Sequence, residues 1–174
     1  MNRRKLETLL LTLESTPALV ERAARTLSSR DDATRRPAAG GFSFVENVWH
    51  LADLECEAYR VRIRRLIAEE NPTLANFDGD RVARERDYQR KSLAEGLAAF
   101  AQARHRNVER LRALPSSAWK RSGQQESVGR VTLSDIPKMM AEHDRSHTED
   151  LRALLEELRT GSPAQSPRPT SAVA

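Results

Sequence analysis

The sequence predicts an all-α protein, a four-helix bundle with a long crossover between its second and third helices. Three observations point there. Leu, Ala, Arg and Glu are abundant, while 174 residues hold only 7 Gly, 8 Pro and 5% aromatics, a balance that favours helices over sheets. Four separate stretches repeat their apolar residues at helical spacing. Between the second and third of these lies a long segment rich in turn residues, too long for a tight connection between neighbouring helices.

The first helix is expected over about residues 3–28, with Leu6, Leu9, Leu13, Val20, Ala23 and Leu27 on one side. Thr16-Pro17 in its middle marks a kink or a restart. The loop DDATRRPAAGG then stops the pattern. Ser43 followed by Glu46 has the S-x-x-E spacing of a capping box and opens the second helix. Glu46 is thereby assigned to the cap rather than to a metal. This helix runs to about Glu70 with a stripe at Val45, Val48, Ala52, Cys56, Tyr59, Ile63 and Leu66, and Asn71-Pro72 ends it.

Residues 71–87 have turn chemistry without a period, so they form the crossover. A third helix is expected from about Tyr88 to Leu114, with Leu93, Leu97, Phe100, Val108 and Leu111 on one face and Pro115 as its stop. SSAWKRSGQQESVGR reads as a loop. The fourth helix reaches Leu158, with Ser134 as N-cap and Pro137 at N3, where a missing N–H costs little. After Thr160 the stretch GSPAQSPRPTSAVA is rich in Ser, Pro and Ala. It is expected to be a disordered tail, leaving one domain over residues 1–160.

The formal charge is +4, but both signs are interleaved, as in RVRIRRLIAEE, and no basic block is flanked by stacking aromatics. Nucleic acid is therefore not the expected partner. No apolar run approaches the roughly 18 residues of a membrane span. Glu7 and Glu14 interrupt the N-terminal apolar run, so no signal peptide is expected and a cytoplasmic location follows. The single cysteine, Cys56, cannot build an internal disulfide, and its place on the stripe gives it a packing role.

The chemistry is concentrated in MMAEHDRSHTEDLRALLEEL, residues 139–158. The fourth helix has its stripe at Leu133, Ile136, Met140, Leu151, Leu154 and Leu158, and the positions that continue it between Met140 and Leu151 are His143 and His147. Two buried imidazoles need hydrogen-bond partners or a ligand, since each unpaired polar group costs roughly 1–3 kcal/mol. Four apart on a helix, they can converge on one cation. The alternative is a pair of core histidines bonded to backbone or carboxylates.

A third ligand decides between these. His105 falls opposite the stripe of the third helix and reads as surface. His50, in VWHLADLE, lies off the main stripe on a second side with Leu54, Ala58 and Val61. The second helix is thus two-sided, one side fit for the bundle and the other for a partner subunit. If the His50 side faces the fourth helix, three imidazoles meet. Three neutral imidazoles leave a divalent ion coordinatively open, as in catalytic zinc sites, and nickel or iron also accepts them. The paired Glu-x-x-His motifs of di-iron centres are absent, only Asp144-x-x-His147 coming near, and there is no HExxH. Arg104 occupies a stripe position between Phe100 and Val108. There it either pairs with a carboxylate or recognises an anionic group of a small-molecule substrate.

With these residues assembled, the chain resembles the DinB-like superfamily, also called the DinB/YfiT-like metalloenzymes. The resemblance is carried by GGFSFVENVWHLADLE, RIRRLIAEENPTLANFD, LAAFAQARHRNVERLRAL and GRVTLSDIPKMMAEHDRSHTEDL, in that order over about residues 5–158. It implies a four-helix bundle in which one His of the second helix and an H-x-x-x-H pair of the last bind a divalent metal, here His50, His143 and His147. Zinc or nickel is the first expectation, iron or manganese the second. Relatives include S-transferases and isomerases that use bacillithiol, mycothiol or glutathione, and others named only as metal-dependent hydrolases or damage-inducible proteins. The expectations are a metal-dependent S-transferase using a low-molecular-weight thiol, then a hydrolase, then a metal-binding stress-response protein without catalysis. The resemblance also implies a homodimer.

Overall fold

The structure is a computed structural model and describes residues 3–161; all of the expected tail but Gly161 lies outside them. The helices are α1 (Arg3–Ala24), a short α2 (Arg30–Thr34), α3 (Phe44–Leu54), α4 (Arg60–Ala68), α5 (Gly79–Glu85), α6 (Leu93–Arg112) and α7 (Ile136–Thr160). A π-helical turn, Glu55–Tyr59, joins α3 to α4 in one continuous rod. The strands are β1 (Thr73–Leu74), β2 (Ser122–Gln125) and β3 (Gly129–Thr132). Four long rods make the bundle: α1, α3–α4, α6 and α7. Both α1 and α3 pack on α6 and on α7, so the first two rods in sequence stand diagonally.

Local chemistry sets these boundaries. Ser43 Oγ accepts from the Glu46 N–H, and Glu46 Oε2 accepts from the Ser43 N–H at 2.8 Å, which completes the capping box. Glu46 also takes Arg36 and Gln89, so the cap ties the preceding loop and the crossover to one helix start.

Of the two expectations at Pro17, a kink or a restart, the restart does not occur; α1 runs through it. Proline has no N–H for the carbonyl of Leu13 four residues back. Arg104 Nη1 donates to that carbonyl instead, at 2.9 Å. The third long helix starts at Leu93 rather than Tyr88, because Ser92 Oγ caps the Glu95 N–H. Residues Tyr88–Arg90 form a 3₁₀ turn before it. In α7 the N-cap is Asp135, and Pro137 sits in the first turn one position earlier than expected. The Ser134 hydroxyl donates to Trp119 O instead of capping.

Two segments read as irregular contain strands. SGQQESVGRVT is a hairpin in which Ser122 pairs with Thr132 and Gln125 with Gly129, and β1 joins β2 in parallel, Leu74 opposite Gln125. Strands of two to four residues are too short to show a period. Gly123 permits the pairing, since a Cβ there would lie 2.5 Å from Pro72 O.

The crossover packs against the α3 rod at Trp49, Asp53 and Glu57. Arg86 bridges Asp53 and Glu57, Tyr88 Oη donates to Asp53, and Val82, Ala83 and Tyr88 pack with Phe42, Trp49 and Phe77. Spacing alone left open which side of the second helix faces the bundle; Leu54 and Ala58 of the His50 side lie in the core, together with Tyr59 and Ile63 of the main stripe. Cys56 is half-buried, with its thiol pKa pushed up by burial, which suits packing rather than reactivity. No helix among the described residues is long and apolar enough to cross a membrane.

The core is two apolar clusters, one around Leu13, Leu54, Ile63, Val108 and Met140, the other around Val20, Val48, Phe100, Leu151 and Leu154. Between them, α6 and α7 contribute Arg104, Asn107, His143, Asp144 and His147, all buried. A polar layer crosses the bundle there.

Candidate metal centre

His143 and His147 stand one turn apart on α7 with ring centroids 4.4 Å apart. His50 comes from α3, 5.2 Å from the first ring and 4.7 Å from the second. One nitrogen from each ring lies within 4.8 Å of the others, and the Nε2 atoms of His50 and His143 face each other at 3.2 Å. The rings are 6%, 7% and 8% exposed. The three histidines of the sequence reading therefore meet, and His105 lies on the surface beside Glu14.

The protonation state of this cluster follows from its surroundings. Burial lowers the pKa of His50 to about 4 and that of His143 to about 3, the latter helped by His50, Arg104 and Arg62; His147 falls well below its usual value for the same first reason. All three are neutral at pH 7 and hold lone pairs. Asn47 fixes which lone pair His147 presents. Both N–H bonds of its amide go to carbonyls, Phe42 O at 3.1 Å and Ser43 O at 3.0 Å. Its Oδ1 is left to accept the Nδ1–H of His147 at 2.7 Å. The free lone pair of His147 is therefore on Nε2.

The surrounding wall is aromatic. Phe42 and Phe77 tilt against His50 at 5.4 and 5.8 Å, and Tyr59 meets His143 edge-on at 6.5 Å. The start of α5 closes over His50 so tightly that a Cβ on Gly79 would lie 2.5 Å from its Nδ1. Asn47 and Gly79 were missed in the sequence. Asn47 had a signal, lying one helical turn before His50; Gly79 had none, because its role depends on how the crossover folds back.

Of the two readings of Arg104, pairing with carboxylates and recognition of a substrate anion, the structure shows the first. Arg104 is 1% exposed and spends all five N–H bonds inside the protein. Nε and Nη2 meet Glu55 Oε1 at 3.0 and 2.8 Å, Nη1 reaches Leu13 O and Asp144 Oδ2, and Nη2 reaches Asp144 Oδ1. Asn107 Nδ2 completes the group by donating to Glu55 O and Oε2. No donor remains for a substrate anion. The guanidinium pairs with carboxylates, as its place in an apolar stripe also allowed.

A family model described as the DinB superfamily matches residues 12–165. The chain belongs to the DinB superfamily. Its fold is similar to that of YfiT from Bacillus subtilis, described as a probable metal-dependent hydrolase with an unusual four-helix bundle topology. The two share 21% identity over 92% of this chain and 90% of that one, with a TM-score of 0.83. No curated protein matches the chain. In this DinB-superfamily chain, the inter-histidine spacing suits a first-row divalent ion bound by nitrogen.

Proposed function

We propose that this protein is a divalent-metal-dependent enzyme in which His50, His143 and His147 hold the ion. The observation that carries the reading is the facing pair of neutral, buried Nε2 atoms at 3.2 Å, with a third imidazole alongside. Two lone pairs at that separation repel unless a proton or a cation lies between them. Three nitrogen ligands suit zinc or nickel, with iron or manganese as further candidates. The bound ion would supply Lewis acidity, holding a water or a low-molecular-weight thiol deprotonated at neutral pH.

The chain's own residues do the rest. Asn47 holds His147 in the Nε2-presenting tautomer, and Phe42, Phe77 and Tyr59 keep bulk water from the ligands. The reaction proposed is transfer of a low-molecular-weight thiol to an electrophile, the reading carried by the family resemblance. Hydrolysis is the second reading, favoured by the description of YfiT. Zinc- or nickel-loaded protein incubated with monochlorobimane and bacillithiol, mycothiol or glutathione is expected to form the thioether faster than metal-stripped protein. Turnover of ester or amide substrates without thiol assigns hydrolysis instead. Metal binding with neither activity assigns the non-catalytic reading. The proposed homodimer rests on the family resemblance, and sedimentation at micromolar concentration tests it.

A further inference from the structure

One buried cation has no carboxylate partner among the described residues. Arg62, in the first turn of α4, is 1% exposed. Its Nη2 donates to Ala75 O at 3.0 Å, while Nε and Nη1 are buried without an acceptor. Tyr59 stands beside it, the ring centroid 5.8 Å from the guanidinium carbon, and the same ring meets His143 at 6.5 Å. Arg62 is thus one aromatic ring away from the histidine cluster.

Gln125 is in the same position. It is 2% exposed, and neither its Nε2 nor its Oε1 has a partner. Register places it opposite Leu74, the residue before Ala75 whose carbonyl Arg62 holds. Two residues earlier on the inward face of β2, Gly123 abuts Leu66, one turn beyond Arg62 on α4. The strand therefore carries Gln125 to the level of Arg62. The one acceptor that Arg62 holds is a neutral backbone carbonyl. A core rarely keeps an unpaired cation.

We propose that Arg62 and Gln125 form an anion subsite beside the histidines that takes the carboxylate of a small molecule. A planar two-oxygen acceptor matches the parallel N–H bonds of a guanidinium, and the Gln125 amide supplies a further donor. The single bond from Arg62 to a neutral carbonyl in the crossover is the contact that a charged acceptor displaces. As a substrate subsite it rests on the metal-enzyme reading and names the substrate class. As an anion site it stands without metal.

The test is NMR of the full-length protein labelled with ¹⁵N-arginine, metal-stripped and zinc-loaded, titrated with acetate. The Arg62 Nε–H signal is expected to shift saturably in both forms. Arg62→Met is expected to fold with unchanged zinc content, to melt no lower than the parent because an unpaired buried charge has gone, and to lose the response. Gln125→Leu is expected to weaken acetate several-fold. Thioglycolate at least about tenfold tighter than acetate on zinc-loaded protein, about 1.4 kcal/mol, assigns the carboxylate to the thiol; equal affinity assigns it to the electrophile. An Arg62 signal unmoved by tens of millimolar acetate overturns the proposal, as does an Arg62→Met variant that is destabilised or still responds. In His143→Ala, loss of zinc with the acetate shift retained separates this subsite from the metal site.

Discussion

Two polar clusters lie side by side in the middle of the bundle, and adjacent residues of α7 serve them. Asp144 belongs to the Arg104 cluster and His143 to the imidazole cluster. In the first, every N–H of Arg104 has an acceptor, and Glu55 and Asp144 are bound by several donors. In the second, nitrogen faces nitrogen, and the Nδ1 atoms of His50 and His143 have no partner. The closed cluster is complete within the chain; the other leaves two buried ring nitrogens without a partner. Satisfaction of hydrogen bonds, rather than polarity or burial, separates architecture from chemistry here.

The largest effect should come from opening the closed cluster. Arg104→Met leaves Glu55 and Asp144 buried without their cation and Leu13 O without its donor, and is expected to cost about 3–5 kcal/mol in chemical denaturation. Metal stoichiometry of the fraction that stays folded should not change.

The imidazole cluster should respond to acid instead. Its folded pKa values are lowered, so between about pH 6.5 and 4 the unfolded chain takes up protons that the folded chain refuses. Stability of the metal-stripped protein is therefore full above pH 6.5 and falls as pH drops, by about 2 kcal/mol for each of His50 and His143 by pH 5. Denaturation at pH 7 and 5 measures it, and His143→Ala should flatten the dependence. Asn47→Leu is a smaller change. It releases the tautomer of His147 and is expected to weaken metal binding about 10–100-fold in competition with a chelating dye, with the fold retained.

The same contrast explains how much was legible in the sequence. His143 and His147 announce themselves because they replace apolar residues at helical spacing, and the Ser43–Glu46 cap because its signal is local. Arg104 gave the same kind of signal as the histidines, a polar residue in an apolar stripe. Its partners come from α1, the π turn and α7, which no spacing within α6 can reveal. The continuity of α1 through Pro17 depends on that same distant residue. The strands at Leu74 and Gln125 were hidden for a related reason: their pairing is long-range and their length leaves no alternation to read. Gly79 and Arg62 gain their meaning only from the crossover folding onto α3 and α4.

If the open cluster is a metal site, the purified protein carries the ion. Elemental analysis of untagged protein beside its His143→Ala variant tests it most directly. Close to one equivalent of a divalent first-row metal is expected in the parent and essentially none in the variant, both folded. A parent that carries no metal and takes up none from zinc, nickel, manganese or iron, or a variant that keeps its metal, would contradict it.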